Sequence, residues 1–323
     1  MAQLDQESAD LLARAPQIYS ATQVLATDDV DAARRYTVAI MEEYEGKKSE
    51  GVSVSKFEVP SNSGSVPVRL YRAIDANEAD DAPLVVFFHG GGWSVGDASS
   101  YEPFMRSLCA RSGVAMLSAD FRRAPEHKYP AAHDDCYDVL EWAFTNCAAI
   151  GIDNQRIAVM GDSAGAHMAV LAAMRLHSST EFRLRAQYLV YPFLDLRDKH
   201  DRYPSRIKFG NGEYFIGLDA LVQSKDWYFG EGADGDDPYQ SPILLPNLDI
   251  LPPTVLAIAG YDPLADEGRC FADRLDQENV EVVFRNFEQT IHGFLPFGSL
   301  PIAREGRNWL AADIKERLGD SVR

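Results

Sequence analysis

The chain has 323 residues, 46% of them hydrophobic and 25% charged, with a formal net charge of −18. That length and composition suit one large globular domain with surface elaborations. So acidic a surface repels phosphate backbones and anionic bilayers, which argues against nucleic-acid and membrane partners and favours a neutral small molecule.

Residues 1–48 read as helical, with apolar positions at helical spacing from Asp31 to Tyr44 and a polar, glycine-containing stop at Glu45-Gly46-Lys47. The start of the chain is polar and acidic and resembles no secretory signal, and no apolar run approaches bilayer-spanning length. A cytoplasmic protein without stable membrane insertion is expected, and a homo-oligomer stays open. Val52–Val59 and Val66–Tyr71 flank a Ser-Asn-Ser-Gly turn, the pattern of a hairpin. Leu84–Phe88 is a continuous apolar run suited to a strand buried on both faces. Similar runs recur at 114–118, 157–160, 188–190, 254–259 and 280–284, with helical stretches at 104–111, 131–146, 164–177 and 266–277. Strands alternating with helices predict an α/β fold with a mostly parallel central sheet flanked by helices. Residues 197–235 interrupt the alternation with a long aromatic and charged excursion, and such segments are usually functional. The four cysteines show no metal-ligand spacing and read as reduced, mostly buried thiols.

Four short motifs each fall just after an expected strand. Gly161-Asp162-Ser163-Ala164-Gly165 fits the G-x-S-x-G nucleophile elbow. Alone it arises by chance in roughly one chain of this length in ten. Its placement between a strand and a small-residue helix gives it weight, because a sharp turn there exposes the serine at a helix N-terminus. His89-Gly90-Gly91-Gly92-Trp93 is rarer, and consecutive glycines let backbone N–H groups converge as an oxyanion hole requires. Tyr261-Asp262-Pro263-Leu264 and His292-Gly293-Phe294 complete the order serine, acid, histidine expected of α/β-hydrolases. A lone Asp after a strand is usually a helix cap and a lone histidine usually structural; their succession in one sheet shifts the balance to catalysis. No phosphate-binding loop or HExxH pattern is present, so neither cofactor nor metal is expected.

HGGGW, GDSAG, YDPLADEG and HGF in this order, with Phe121-Arg122-Arg123-Ala124-Pro125-Glu126 and Pro130-Ala131-Ala132, resemble the hormone-sensitive lipase-like (bacterial family IV) esterases over roughly residues 50–323. The resemblance implies an α/β-hydrolase catalytic domain at 51–196 and 236–323, with residues 1–50 and 197–235 forming a helical cap. It implies Ser163 as nucleophile, His292 as general base and acid, Asp262 as its orienting partner, and the N–H groups of Gly91, Gly92 and Ala164 as the oxyanion hole. His89 is expected to brace the loop. Departures are Phe121 and Arg123 in place of Tyr and Leu, and Ala166-His167 where the family usually has Gly-Asn. Trp93, Tyr214, Phe215, Trp227 and Phe294 are candidates for the substrate pocket, each with ordinary core packing as the alternative. The expected activity is carboxylester hydrolysis of small neutral, short-acyl esters. Amidase, deacetylase or lactonase chemistry on the same machinery, or a silent ligand-binding relative, are the alternatives.

Overall fold

A computed structural model of the chain describes residues 2–18, 29–74, 81–197 and 201–319. The portion of the expected N-terminal helical segment at 19–28, and residues 198–200 of the 197–235 excursion, lie outside the described residues. In chain order the elements are α1 (Gln6–Ile18), α2 (Val30–Tyr44), β1 (Val52–Ser61), β2 (Gly64–Ala73), β3 (Ala82–Phe88), α3 (Glu102–Ser112), β4 (Ala115–Ala119), α4 (Ala131–Thr145), β5 (Ile152–Asp162) and α5 (Ala164–Ser179). There follow β6 (Gln187–Val190), α6 (Pro204–Phe209), α7 (Leu218–Phe229), β7 (Thr254–Tyr261), α8 (Ala265–Gln277), β8 (Val282–Ile291) and α9 (Pro301–Gly319).

The eight strands form one sheet in the order β1-β2-β4-β3-β5-β6-β7-β8. The β1–β2 hairpin is antiparallel and β2 meets β4 antiparallel, whereas β4, β3, β5, β6, β7 and β8 run parallel. Period-two alternation sorts the apolar strand residues between two cores. Leu84, Val86 and Phe88 of β3 face a layer with α4, α5 and α8, while Val85 and Phe87 face a layer with α2, α3 and α9. Such central strands must be apolar throughout because both faces are covered. Truncating Leu84, wholly buried, to Ala would cost about 2–5 kcal/mol.

Helix ends follow local chemistry. The Asp29 carboxylate accepts the Ala32 N–H at 2.9 Å and caps α2, while Gly113 in the left-handed region (φ 74°) closes α3 through its N–H to the Cys109 carbonyl. β8 runs past the expected 280–284 stretch to Ile291. It is an edge strand of the sheet, so Arg285 and Asn286 pair with Ala257 and Ile258 of β7 on one side while remaining partly exposed. Cys109 and Cys136 are buried, Cys147 half-buried and Cys270 exposed, all as free thiols.

Candidate active site

The carboxyl ends of β3, β5, β7 and β8 carry the four motifs to one place. Ser163 follows β5 directly and precedes the first turn of α5, with φ 55° and ψ −120°, a conformation that holds its hydroxyl out of the turn. The flanking glycines permit that turn. A Cβ on Gly165 would lie 2.0 Å from the Phe88 carbonyl oxygen, and one on Gly161 would lie 2.2 Å from the Gly165 backbone. Any side chain there would push the elbow off β3.

Asp262 follows β7 and His292 follows β8. The Ser163 hydroxyl stands 3.0 Å from His292 Nε2, and His292 Nδ1 stands 2.7 Å from Asp262 Oδ2. Asp262 is fully buried, and its other oxygen accepts the Leu264 N–H at 2.8 Å. A carboxylate can only accept, so the neutral imidazole carries its proton on Nδ1 and leaves Nε2 free to take the serine proton.

The glycine loop after β3 is held to the elbow by Asp162, a residue that reading the motifs passed over. Its Oδ1 accepts the Gly90 N–H at 2.7 Å, and its Oδ2 accepts the hydroxyls of Tyr101 (3.0 Å) and Tyr191 (3.3 Å). Burial raises the Asp162 carboxyl to about 6, against the opposing pull of these donors and of His292. The signal was present in the sequence: a carboxylate within an otherwise small-residue elbow needs donors when buried. His89 is buried, donates from Nδ1 to the Gly90 carbonyl (2.7 Å) and stacks on Phe121 (4.2 Å between centroids), with burial lowering its pKa.

Gly91, Gly92, Ser163 and His292 open into one cavity of about 130 Å³. Tyr36, Thr37, Ile40 and Met41 of α2 form one wall, and Ala220, Leu221, Ser224 and Trp227 of α7 form another. Phe193, Phe215 and Phe297 complete much of the rest. Phe215 and Trp227, two of the candidates named from sequence, face the cavity. Three other aromatic candidates do not line it. Trp93 is buried and stacked on Tyr228 (5.2 Å), Tyr214 packs on Phe209 and Tyr261, and Phe294 is enclosed by Tyr191 and Phe287. The contribution of α2 was not foreseen, because helical spacing shows an apolar stripe but not what the stripe covers.

Among the described residues no group of three or more His, Cys, Asp or Glu side chains could hold a metal ion. No helix among them is long and apolar enough to cross a membrane.

A family model described as the alpha/beta hydrolase fold matches residues 85–296, which include all four motifs. The chain belongs to the α/β-hydrolase family. Among curated relatives, this α/β-hydrolase is 32% identical to the carboxylic ester hydrolase LipN of Mycobacterium tuberculosis over 295 residues, 88% of this chain and 75% of LipN. It is also 32% identical to an ethyl acetate hydrolase of Pseudomonas putida, over 84% of this chain and 85% of the relative. Among solved structures, the hyperthermophilic esterase of Pyrobaculum calidifontis superposes with a TM-score of 0.87 at 32% identity, covering 98% of this α/β-hydrolase and 99% of the esterase. These similarities agree with the hormone-sensitive lipase-like character of the motifs.

Proposed function

We propose that this α/β-hydrolase is a carboxylesterase acting on small neutral esters with short acyl groups. The observation that carries the reading is the unbroken hydrogen-bonded line Asp262–His292–Ser163 opening into an apolar cavity beside the glycine loop. In this mechanism His292 Nε2 takes the Ser163 proton as Oγ attacks the ester carbonyl carbon. The oxyanion is received by the N–H groups of Gly91, Gly92 and Ala164, at the positive end of α5. Asp262 holds the ring and stabilises the imidazolium. As the tetrahedral species collapses, the C–O bond breaks and His292 returns the proton to the departing alcohol. Water, deprotonated by the same nitrogen, then attacks the acyl-enzyme and releases the acid.

The cavity chemistry supports neutral substrates, since among its described lining residues there is no Lys, Arg or Glu, and Asp162, which does line it, is buried and takes hydrogen bonds from Gly90, Tyr101 and Tyr191. Phe193, Leu221 and Trp227 crowd it, which favours short acyl chains. In this proposal α1–α2 and the 197–235 segment act as the cap that supplies these walls. The curated relatives named as ester hydrolases point the same way.

Hydrolysis of p-nitrophenyl acetate, butyrate and octanoate by the wild type and Ser163→Ala tests the proposal. The expected result is turnover falling with chain length and reduced about 10⁴- to 10⁶-fold in the variant, with unchanged circular dichroism. A wild type inert to all three, or a fully active Ser163→Ala, would overturn it.

A further inference from the structure

One line of polar groups beside the nucleophile helix takes no part in that mechanism. The Tyr228 hydroxyl, near the end of α7, lies 2.6 Å from His133 Nδ1 on α4. His133 Nε2 lies 3.1 Å from Nδ1 of His167, which stands on α5 one turn past Ser163. His167 Nε2 lies 3.0 Å from the Gln240 carbonyl oxygen. His167 is one of the residues that depart from the esterase pattern, so the line includes a feature of this chain's own sequence.

The protons in the line have one consistent arrangement. A carbonyl only accepts, so His167 carries its hydrogen on Nε2. Its Nδ1 is then an acceptor, His133 must donate from Nε2, and His133 Nδ1 must accept from Tyr228. Both imidazoles are neutral Nε2–H tautomers, and the order runs from Tyr228 through His133 and His167 to Gln240. The Tyr228 oxygen also receives the His133 backbone N–H at 3.3 Å.

The surroundings keep the rings neutral. Burial lowers His167 to about 4 and holds His133 well below its ordinary value, with His167 adding to the effect. The titratable neighbours Tyr129, Cys136 and Tyr228 all have raised values and stay uncharged, and Asp134 is paired with Arg175 at 2.8 Å. An added proton on His167 would set two N–H groups facing each other across the 3.1 Å gap.

This line reaches the substrate cavity through α7. Trp93, the residue after Gly92, stacks on Tyr228 (5.2 Å, 11° between planes) and meets His167 edge-on (5.3 Å, 84°). The same helix turns Leu221, Ser224 and Trp227 toward the cavity. Ser224 sits so close to the glycine loop that a Cβ on Gly92 would lie 2.3 Å from its Oγ. Whatever fixes Tyr228 therefore fixes the gap between α7 and the loop.

We propose that the Tyr228–His133–His167–Gln240 line is a positioning strut that ties α7 to the nucleophile helix and thereby sets acyl-chain selectivity. The proposal rests on the esterase reading above. None of the four residues touches the reacting atoms; they act through the placement of Ser224 and Trp227.

The test is Tyr228→Phe, which keeps the ring and its stack on Trp93 and removes only the hydroxyl. The expected result is a rise of about fivefold in the octanoate-to-acetate ratio of kcat/KM, carried by KM, with kcat on acetate within about twofold of wild type. His167→Asn cuts the line at its other end and should shift the ratio in the same direction. In the wild type, long-range ¹H–¹⁵N spectra of the histidine rings should show both as Nε2–H tautomers, with His167 titrating near 4 and His133 well below the ordinary imidazole range. If both variants lower the melting temperature yet keep the wild-type ratio, the line is structural only and the proposal is wrong. A ring found as an Nδ1–H tautomer, or titrating near its ordinary value, overturns the proton order and the strut with it. A wild type inactive on every ester would instead remove the esterase reading, a result distinct from an active wild type with indifferent variants.

Discussion

Replacing Gly91 by alanine tests the proposed oxyanion assignment more sharply than replacing Ser163, because it leaves the side chains of Ser163, His292 and Asp262 in place. Gly91 has φ 111°, a conformation that favours glycine, and an added Cβ would lie 2.2 Å from the Val95 carbonyl oxygen and 2.8 Å from its carbon. Ordinary contact begins near 3.4 Å, so one side of the loop must move by about 1 Å. Val95 cannot yield independently, since its N–H donates to the Gly91 carbonyl at 2.9 Å and the Ser94 N–H donates there at 3.1 Å. The displacement therefore falls on the Gly91–Gly92 peptide, and about 1 Å is enough to turn a good hydrogen bond into none. Losing one oxyanion donor costs about 10²–10³ in turnover, or about 2.7–4 kcal/mol of transition-state stabilisation. The assay is kcat on p-nitrophenyl acetate, with circular dichroism and thermal melting to establish folding. Gly92→Ala should also lose turnover, because its Cβ would lie 2.3 Å from the Ser224 Oγ and 2.7 Å from the Ser224 Cβ, and its φ of 57° is one that alanine adopts at a cost of roughly 1–2 kcal/mol. A folded Gly91→Ala enzyme with kcat within about threefold of wild type would refute the reasoning.

Two further outcomes are expected. Burial raises Asp162 from 3.8 to about 6, so the folded state binds this proton more tightly than the unfolded chain does. The resulting stability is present below about pH 4 and lost as pH rises to 6, on the order of 3 kcal/mol in all. Asp162→Asn removes that slope, so urea-unfolding curves should show the variant gaining on wild type between pH 4 and 6; parallel pH profiles would contradict the assignment. Trp227→Ala opens the wall formed by α7 and should raise kcat/KM for octanoate relative to acetate by about 10-fold, a change of about 1–2 kcal/mol; an unaltered chain-length profile would place the acyl group elsewhere.

The chain announced its sheet through runs such as Leu84–Phe88, because a strand covered on both faces leaves no room for polar residues. It signalled Ser163, Asp262 and His292 through motifs that each follow an apolar strand run, in the order serine, acid, histidine. The end of β8 was less legible, since an edge strand can be polar and still be paired. The cavity walls were least legible. Trp93, Tyr214 and Phe294 are as aromatic as Phe215 and Trp227, and only the direction of each side chain separates core from lining. For Trp93 that direction follows from a left-handed backbone (φ 58°), which neither composition nor spacing discloses. Asp162 escaped notice for a related reason: its partners Gly90, Tyr101 and Tyr191 lie 29 to 72 residues away.

The residues proposed for bond-making come from the carboxyl ends of sheet strands, whereas the walls around the substrate come largely from α2 and α7, which lie outside the sheet. Substitutions on those two helices can alter which molecule is accepted without touching the hydrogen-bonded line from Asp262 to Ser163. Selectivity and turnover are therefore separable variables for mutation. A library confined to Tyr36, Thr37, Ile40, Met41, Leu221 and Trp227 would explore new substrates on an intact reaction centre.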